Sequence, residues 1–143
     1  MKNFIKLTVL FCVLLFGACK DDKPSRAEVK TKMLTAATWG HAQVTHSDGD
    51  LSGQYANFAI GFTRNASDGF DGTFIISGGG YAFSETAGKW KFSDDFTQII
   101  FDSGKTIDIE LSADHLQLDF TVPAPGGKAA GLSGHFIFDL LTL

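Results

Sequence analysis

The sequence predicts an all-β domain, an eight-stranded antiparallel up-and-down barrel preceded by one short N-terminal helix. Three observations carry this. From residue 39 onward, apolar residues recur with a period of two, as in Ile107, Ile109 and Leu111 against Asp108 and Glu110, the signature of strands with one buried face. Clusters of Gly, Ser, Asp and Pro separate these runs (Ser47-Asp48-Gly49-Asp50, Gly78-Gly79-Gly80, Ser103-Gly104-Lys105) and read as turns. Only one face of each run is apolar, which suits antiparallel strands with a wet side, and closing them into a barrel removes the exposed edges. A two-sheet β-sandwich would show the same periodicities and is the alternative.

The elements follow in order. Lys2 and Lys6 precede an apolar run at 7–16, and the small pair Gly17-Ala18 stands directly before Cys19. That is a charged n-region, a short h-region and a small-residue cleavage site; the run is about half as long as a bilayer-spanning helix. The arrangement resembles the lipobox of bacterial lipoprotein signal peptides, and Lys20, Asp21 and Asp22 after the cysteine resemble the surface-export signal of Bacteroidota lipoproteins. The resemblance implies removal of residues 1–18, lipidation of Cys19, and an outer-membrane protein held at the cell surface by its lipid. An ordinary secretory signal is the alternative. Cys12 would leave with the signal and Cys19 would carry lipid, so the remaining chain has neither a thiol nucleophile nor a thiolate metal site.

After residue 18 the chain carries ten Lys+Arg against sixteen Asp+Glu. Residues 19–37 hold five basic and three acidic side chains, whereas 38–143 hold five and thirteen. An acidic body excludes nucleic acid as a partner, because phosphate binding needs a basic surface. The basic segment is able to touch anionic headgroups, but five cations beside three acids read first as a solvated, membrane-proximal stretch. The expected organisation is a signal peptide at 1–18, a lipidated flexible tether at 19–24, a helix at 25–37 and one barrel domain at 38–143.

Ser25 and Glu28 match a capping box, with Ser25 as N-cap. Val29, Met33, Ala36 and Ala37 recur at helical spacing, so the helix is expected at 26–37 with that stripe laid on the domain, and Met33 as packing. Strands are expected at 39–45, around Phe58, Ile60 and Phe62, around Phe74 and Ile76, around Trp90 and Phe92, at 98–102, at 107–111, at 116–120 and around Phe136, Phe138 and Leu140. A turn over Ser112-Ala113-Asp114-His115 pairs Leu111 with Leu116, Ile109 with Leu118 and Ile107 with Phe120. A slip of one residue would put all six in water.

Gly88-Lys89-Trp90-Lys91-Phe92-Ser93-Asp94-Asp95, then Gln98-Ile99-Ile100-Phe101-Asp102 and Leu116-Gln117-Leu118, together with Thr38-Trp39 after the helix, resemble the small lipocalin-like domains of Bacteroidota lipoproteins. The resemblance spans residues 34–141. It implies the barrel fold and carries over no catalytic residues.

No residue pattern supports enzymatic activity. The histidines His41, His46, His115 and His135 are scattered and read as solvated surface groups, and a zinc site needs three or four convergent ligands. Ser47-Asp48-Gly49-Asp50 and Asp68-Gly69-Phe70-Asp71-Gly72 carry oxygen ligands without the twelve-residue calcium pattern and read as turns. The three glycines at 78–80 lack a following Gly-Lys-Ser/Thr; Asn65-Ala66-Ser67 reads as a turn despite its glycosylation pattern. No metal or cofactor is expected. The hairpin register opposes Asp108 and Asp119 beside Glu110, an unfavourable pairing for which a lysine from a neighbouring strand is the expected neutraliser, a bound cation or a partner's basic patch the alternatives.

The aromatic residues are the functional lead. Eleven of fourteen phenylalanines follow residue 18, and an eight-stranded barrel is just wide enough to be filled or to hold one small ligand. So many bulky residues favour a filled interior. If a pocket exists, Trp39, Tyr55, Tyr81, Phe83 and Trp90 are the candidate lining at one mouth. The expected function is therefore a non-catalytic envelope lipoprotein binding a small apolar or amphipathic molecule. The alternatives are a protein-interaction module presenting acidic loops, like the barrel lipoproteins that inhibit lysozyme, and an accessory subunit of a surface uptake complex.

Overall fold

The computed structural model describes residues 22–66, 69–124 and 132–143. The proposed signal peptide, Cys19, Lys20 and Asp21 lie outside the described residues, whereas Asp22 is exposed at their start. Helix α1 spans Arg26–Thr35, with the Ser25 hydroxyl accepting from the Glu28 amide at 3.2 Å. Nine strands follow among the described residues: β1 (Thr38–His46), the two-residue β2 (Gly49–Asp50), β3 (Ala59–Arg64), β4 (Asp71–Ser77), β5 (Ala87–Phe92), β6 (Gln98–Phe101), β7 (Thr106–Leu111), β8 (His115–Val122) and β9 (Gly134–Thr142).

Strands β1 and β3 to β9 pair antiparallel, each with its successor, and β1 also pairs with β9. That last pairing closes the sheet and decides for the barrel over the sandwich. β2 folds back on the end of β1, pairing Thr45 with Asp50 and His46 with Gly49; Ser47-Asp48-Gly49-Asp50 is thus a hairpin. The β7–β8 register is the expected one, Asp108 opposite Asp119 and Leu111 opposite Leu116. On β1, the three steps from Gly40 to Gln43 match two steps on β9, from Leu141 to Asp139. The extra residue is a β-bulge around His41, whose φ is +51°. The bulge lets Trp39 and Val44, an odd number of residues apart, both point inward and be buried.

One continuous core fills the barrel, from Leu34 and Trp39 through Ile60, Phe74, Ile99 and Ile107 to Phe136 and Phe138. The two ends close differently. Below, α1 packs on β3 and β7, inserts the fully buried Leu34, takes a hydrogen bond from Trp39 Nε1 on the Leu34 carbonyl at 3.0 Å, and is tied by Lys30 Nζ to the Phe96 carbonyl. The face it buries is Ala27, Thr31 and Leu34. This corrects the expected stripe: Val29 and Met33 are only half-buried and Ala36 is exposed. Thr31 serves as a core residue because its hydroxyl donates to the Ala27 carbonyl at 2.8 Å, leaving no polar group unsatisfied.

Above, two connections cross the mouth. A 3-10 turn, Ser52–Tyr55, brings Tyr55 over the rim. A strap at 78–86, between β4 and β5, starts with Gly78 at φ +65° and Gly80 at φ +53°, conformations that glycine adopts at least cost.

Candidate functional site

The upper mouth gathers the residues with unusual chemistry. The strap turns inward at Phe83, whose amide donates to the Gly79 carbonyl at 3.2 Å. Its ring packs on Phe120 at 4.8 Å, and on Phe58 and Phe138 each at 5.4 Å between centroids. Tyr55 meets Phe138 edge-on at 4.9 Å. These rings form the upper layer of the core, with Phe83 as its plug.

Lys105, in the turn between β6 and β7, pins the strap from the side. Its ammonium lies 4.6 Å from the Phe83 ring and 4.9 Å from the Phe120 ring, donates to the Ala82 carbonyl at 2.7 Å, and stands 3.6 Å from Glu85 Oε2. Only 17 % of the lysine side chain is exposed. Burial lowers its pKa below that of an ordinary lysine, with Glu85 partly restoring it. Glu85 accepts from the hydroxyls of Ser103 and Ser84. Burial pushes its pKa up, but the hydrogen bonds and Lys105 together outweigh burial and hold it below the usual carboxylate value.

Tyr55 is the exception in this bonded cluster. Its ring is buried and its hydroxyl has no hydrogen-bond partner among the described residues, with the Ala82 backbone beside it. Burial raises its pKa. Leaving such a group unsatisfied costs about 1–3 kcal/mol.

The five aromatic residues expected to line one mouth divide between the two ends. Tyr55, Phe83 and Tyr81 are at the upper end; Phe83 fills the mouth and Tyr81 projects outward, 66 % exposed. Trp39 belongs to the lower end under α1. Trp90 packs at 5.8 Å from Phe62 and 5.2 Å from Phe92, its Nε1 donating to the Thr63 carbonyl at 3.2 Å. Lys105 and Glu85 escaped the sequence reading because a charged residue in a Ser-Gly-Lys or Ser-Glu-Thr turn reads as solvated. Only the folded register shows that the lysine bends back over two rings.

A second polar region covers the outer wall of β6 to β9. Among the described residues no lysine meets the Asp108–Asp119 pair. Instead Gln98 Nε2 donates to Asp108 Oδ1 at 2.8 Å and His135 Nε2 meets Asp119 Oδ1 at 2.5 Å. Beside them, Gln117 Nε2 donates to Asp139 Oδ1 at 2.9 Å, with His115 Nε2 3.3 Å from the same oxygen. The register sets Gln98 opposite Asp108 and Gln117 opposite Asp139, while the imidazoles of His135 and His115, opposite Thr121 and Leu141, reach their carboxylates diagonally.

The solvated reading holds for His41, His115 and His135, which are at least partly exposed, and fails for His46. That ring is buried against Phe136 at 4.5 Å. Its Nε2 reaches the Ser133 carbonyl at 2.9 Å and its Nδ1 accepts from the Asp48 amide at 3.1 Å, so the hydrogen bonds select the neutral Nε2–H tautomer. Among the described residues no three His, Cys, Asp or Glu side chains gather to hold a metal ion, and no helix is long and apolar enough to cross a membrane. Comparison with models of known protein families, with curated proteins and with solved structures finds no match to this chain.

Proposed function

We propose that this chain is a small lipocalin-like lipoprotein of the Bacteroidota type: non-catalytic, anchored in the outer membrane through Cys19, exposed at the cell surface, and binding a small amphipathic molecule at the upper mouth of its barrel. One observation carries the binding reading, the polar cluster beneath the strap. Lys105 is accounted for by its hold on the strap, but a purely structural barrel gains nothing from the buried Tyr55 hydroxyl, which is left without a partner among the described residues. A ligand with a polar head and an apolar body would hydrogen-bond Lys105 and Tyr55 with its head and take the place of Phe83 with its body. Because side chains fill the interior, binding requires the strap to move, and the two glycines at its start supply the backbone freedom.

The test uses residues 20–143, incubated with an envelope lipid extract for native mass spectrometry and with a fluorescent fatty acid analogue for displacement. A bound mass, and weaker retention of the analogue by Tyr55→Phe, support the reading. No bound mass and no displacement refute it. The outer wall favours a second reading, a protein-interaction module, because Asp108, Glu110, Asp119 and Asp139 lie on the outer face of three adjoining strands, and among the described residues their partners are imidazoles and amides. A basic envelope protein captured at low salt and released at high salt would support that reading instead.

A further inference from the structure

We infer that the lower end of the barrel, around α1, is a membrane-facing surface that rests on anionic phospholipid. The inference rests on the proposed anchor only for what brings this end to the bilayer. Because α1 buries Ala27, Thr31 and Leu34, its Val29–Met33–Ala36 stripe is left on the outside. That stripe, with Pro24, Lys32 and the acidic Glu28, lines a groove of about 460 Å³ closed on its far side by Ala113 of the β7–β8 turn.

The rest of this end sets apolar side chains beside exposed acids, Asp94 and Asp95 between β5 and β6 and Asp114 between β7 and β8. Of the five large apolar side chains exposed among the described residues, three are here. Phe70 lies in the β3–β4 connection, Leu141 is paired with His115 at the lower end of β8, and Leu143 is bonded through its amide to the Thr38 carbonyl. Lys23, Arg26 and Lys32 are exposed beside the groove, and residues 22–37 hold four basic against two acidic side chains. Those bases would draw the helix to an anionic leaflet, whereas the wall that carries Asp108, Glu110, Asp119 and Asp139 would be kept off it. Cys19 enters six residues before Ser25, so an acyl anchor there would place the groove beside the bilayer. Several acyl chains on one cysteine would hold the chain at the bilayer by themselves; the apolar groove and its flanking bases then decide which face is turned to it. Docked this way, the barrel stands with its upper mouth facing away from the membrane.

The test is a depth measurement on the full chain, produced in a host that processes lipoproteins, purified in mild detergent and reconstituted into vesicles of phosphatidylcholine with or without phosphatidylglycerol. Met33→Cys, labelled with an environment-sensitive fluorophore, reports the groove, and Gln54→Cys reports the upper end. The expected result is a blue-shifted emission at position 33, quenched by brominated lipid severalfold more than at position 54. The difference should shrink without phosphatidylglycerol and in Arg26→Glu/Lys32→Gln, while flotation with the vesicles persists. Equal quenching at both positions in floated protein overturns the inference. Failure of the anchor reading shows separately, as an intact mass without acyl chains and a labelled Cys19. In that case a Cys19→Ser background, titrated with phosphatidylglycerol vesicles, supports the surface if the label at position 33 responds and overturns it if not.

Discussion

Phe83→Ala asks whether the strap is a plug or only a cover. The ring is buried and meets Phe58, Phe120 and Phe138 at centroid distances of 4.8 to 5.4 Å. Truncating such a residue in a core costs about 3–5 kcal/mol. The strap sits at a barrel end and starts at two flexible glycines, so it settles partly into the space, and the lower figure applies. Lys105 loses one of its two aromatic faces, worth roughly 0.5–1 kcal/mol more. The sum is about 3–4 kcal/mol, less than the whole stability of an ordinary domain, so the variant should still fold. Urea unfolding of residues 20–143, followed by tryptophan fluorescence, measures it well, because Trp39 and Trp90 are buried away from the substitution. With a slope of about 1–3 kcal/mol/M in urea, the midpoint should fall by roughly 1–4 M at unchanged slope. The neighbouring Tyr81→Ala, at an exposed residue, should stay within about 0.5 kcal/mol of wild type. A Phe83→Ala midpoint no lower than that of Tyr81→Ala would refute the plug, and with it the claim that a ligand must displace this ring.

Three further predictions address the same scaffold. Tyr55→Phe removes an unsatisfied hydroxyl and keeps the ring, so stability should hold or rise by about 1 kcal/mol; a loss of that size in the urea midpoint would mean that the hydroxyl has a partner after all. Acid should loosen the strap. The carboxyl of Glu85 titrates below its ordinary value in the folded protein, so its contribution is present above the unfolded pKa, about 4.3, and is lost as pH falls through the folded value. Lys105 stays charged throughout that range and is left without its counter-ion, so hydrogen exchange at 82–86, corrected for intrinsic rate, should accelerate from pH 6 to pH 3, and less so in Glu85→Gln. Gly72→Ala should abolish cooperative folding, because its Cβ would stand 1.6 Å from the Thr63 carbonyl oxygen, and only separating β3 from β4 relieves that; a cooperative transition near the wild-type midpoint would show the strands tolerate a wider spacing.

What the sequence disclosed and what it hid follow from the range of the interactions involved. Alternation is a local property, so β7, β8 and their register were readable from Ile107 to Phe120. The β1–β9 pairing was not, because a sandwich strand alternates just as a barrel strand does. The bulge at His41 left only an oblique sign, the odd spacing between Trp39 and Val44, which by itself reads as a weak strand. For α1 the sequence misled: Val29, Met33 and Ala36 look like its core stripe, yet the buried face is Ala27, Thr31 and Leu34. Leu34 enters the barrel next to Trp39, and that fixes the helix rotation; Thr31 then becomes tolerable in the core because its hydroxyl bonds within the helix. The residues that sequence patterning misjudged, Lys105, Glu85, His46 and the outer stripe of α1, are all at the ends of the barrel, where position depends on how connections fold back rather than on strand period. Those ends are also where function is proposed here, a polar seal above and an apolar, basic platform below. A strand wall of this kind tolerates few departures from alternation, so it falls to the connections to distinguish one such barrel from another.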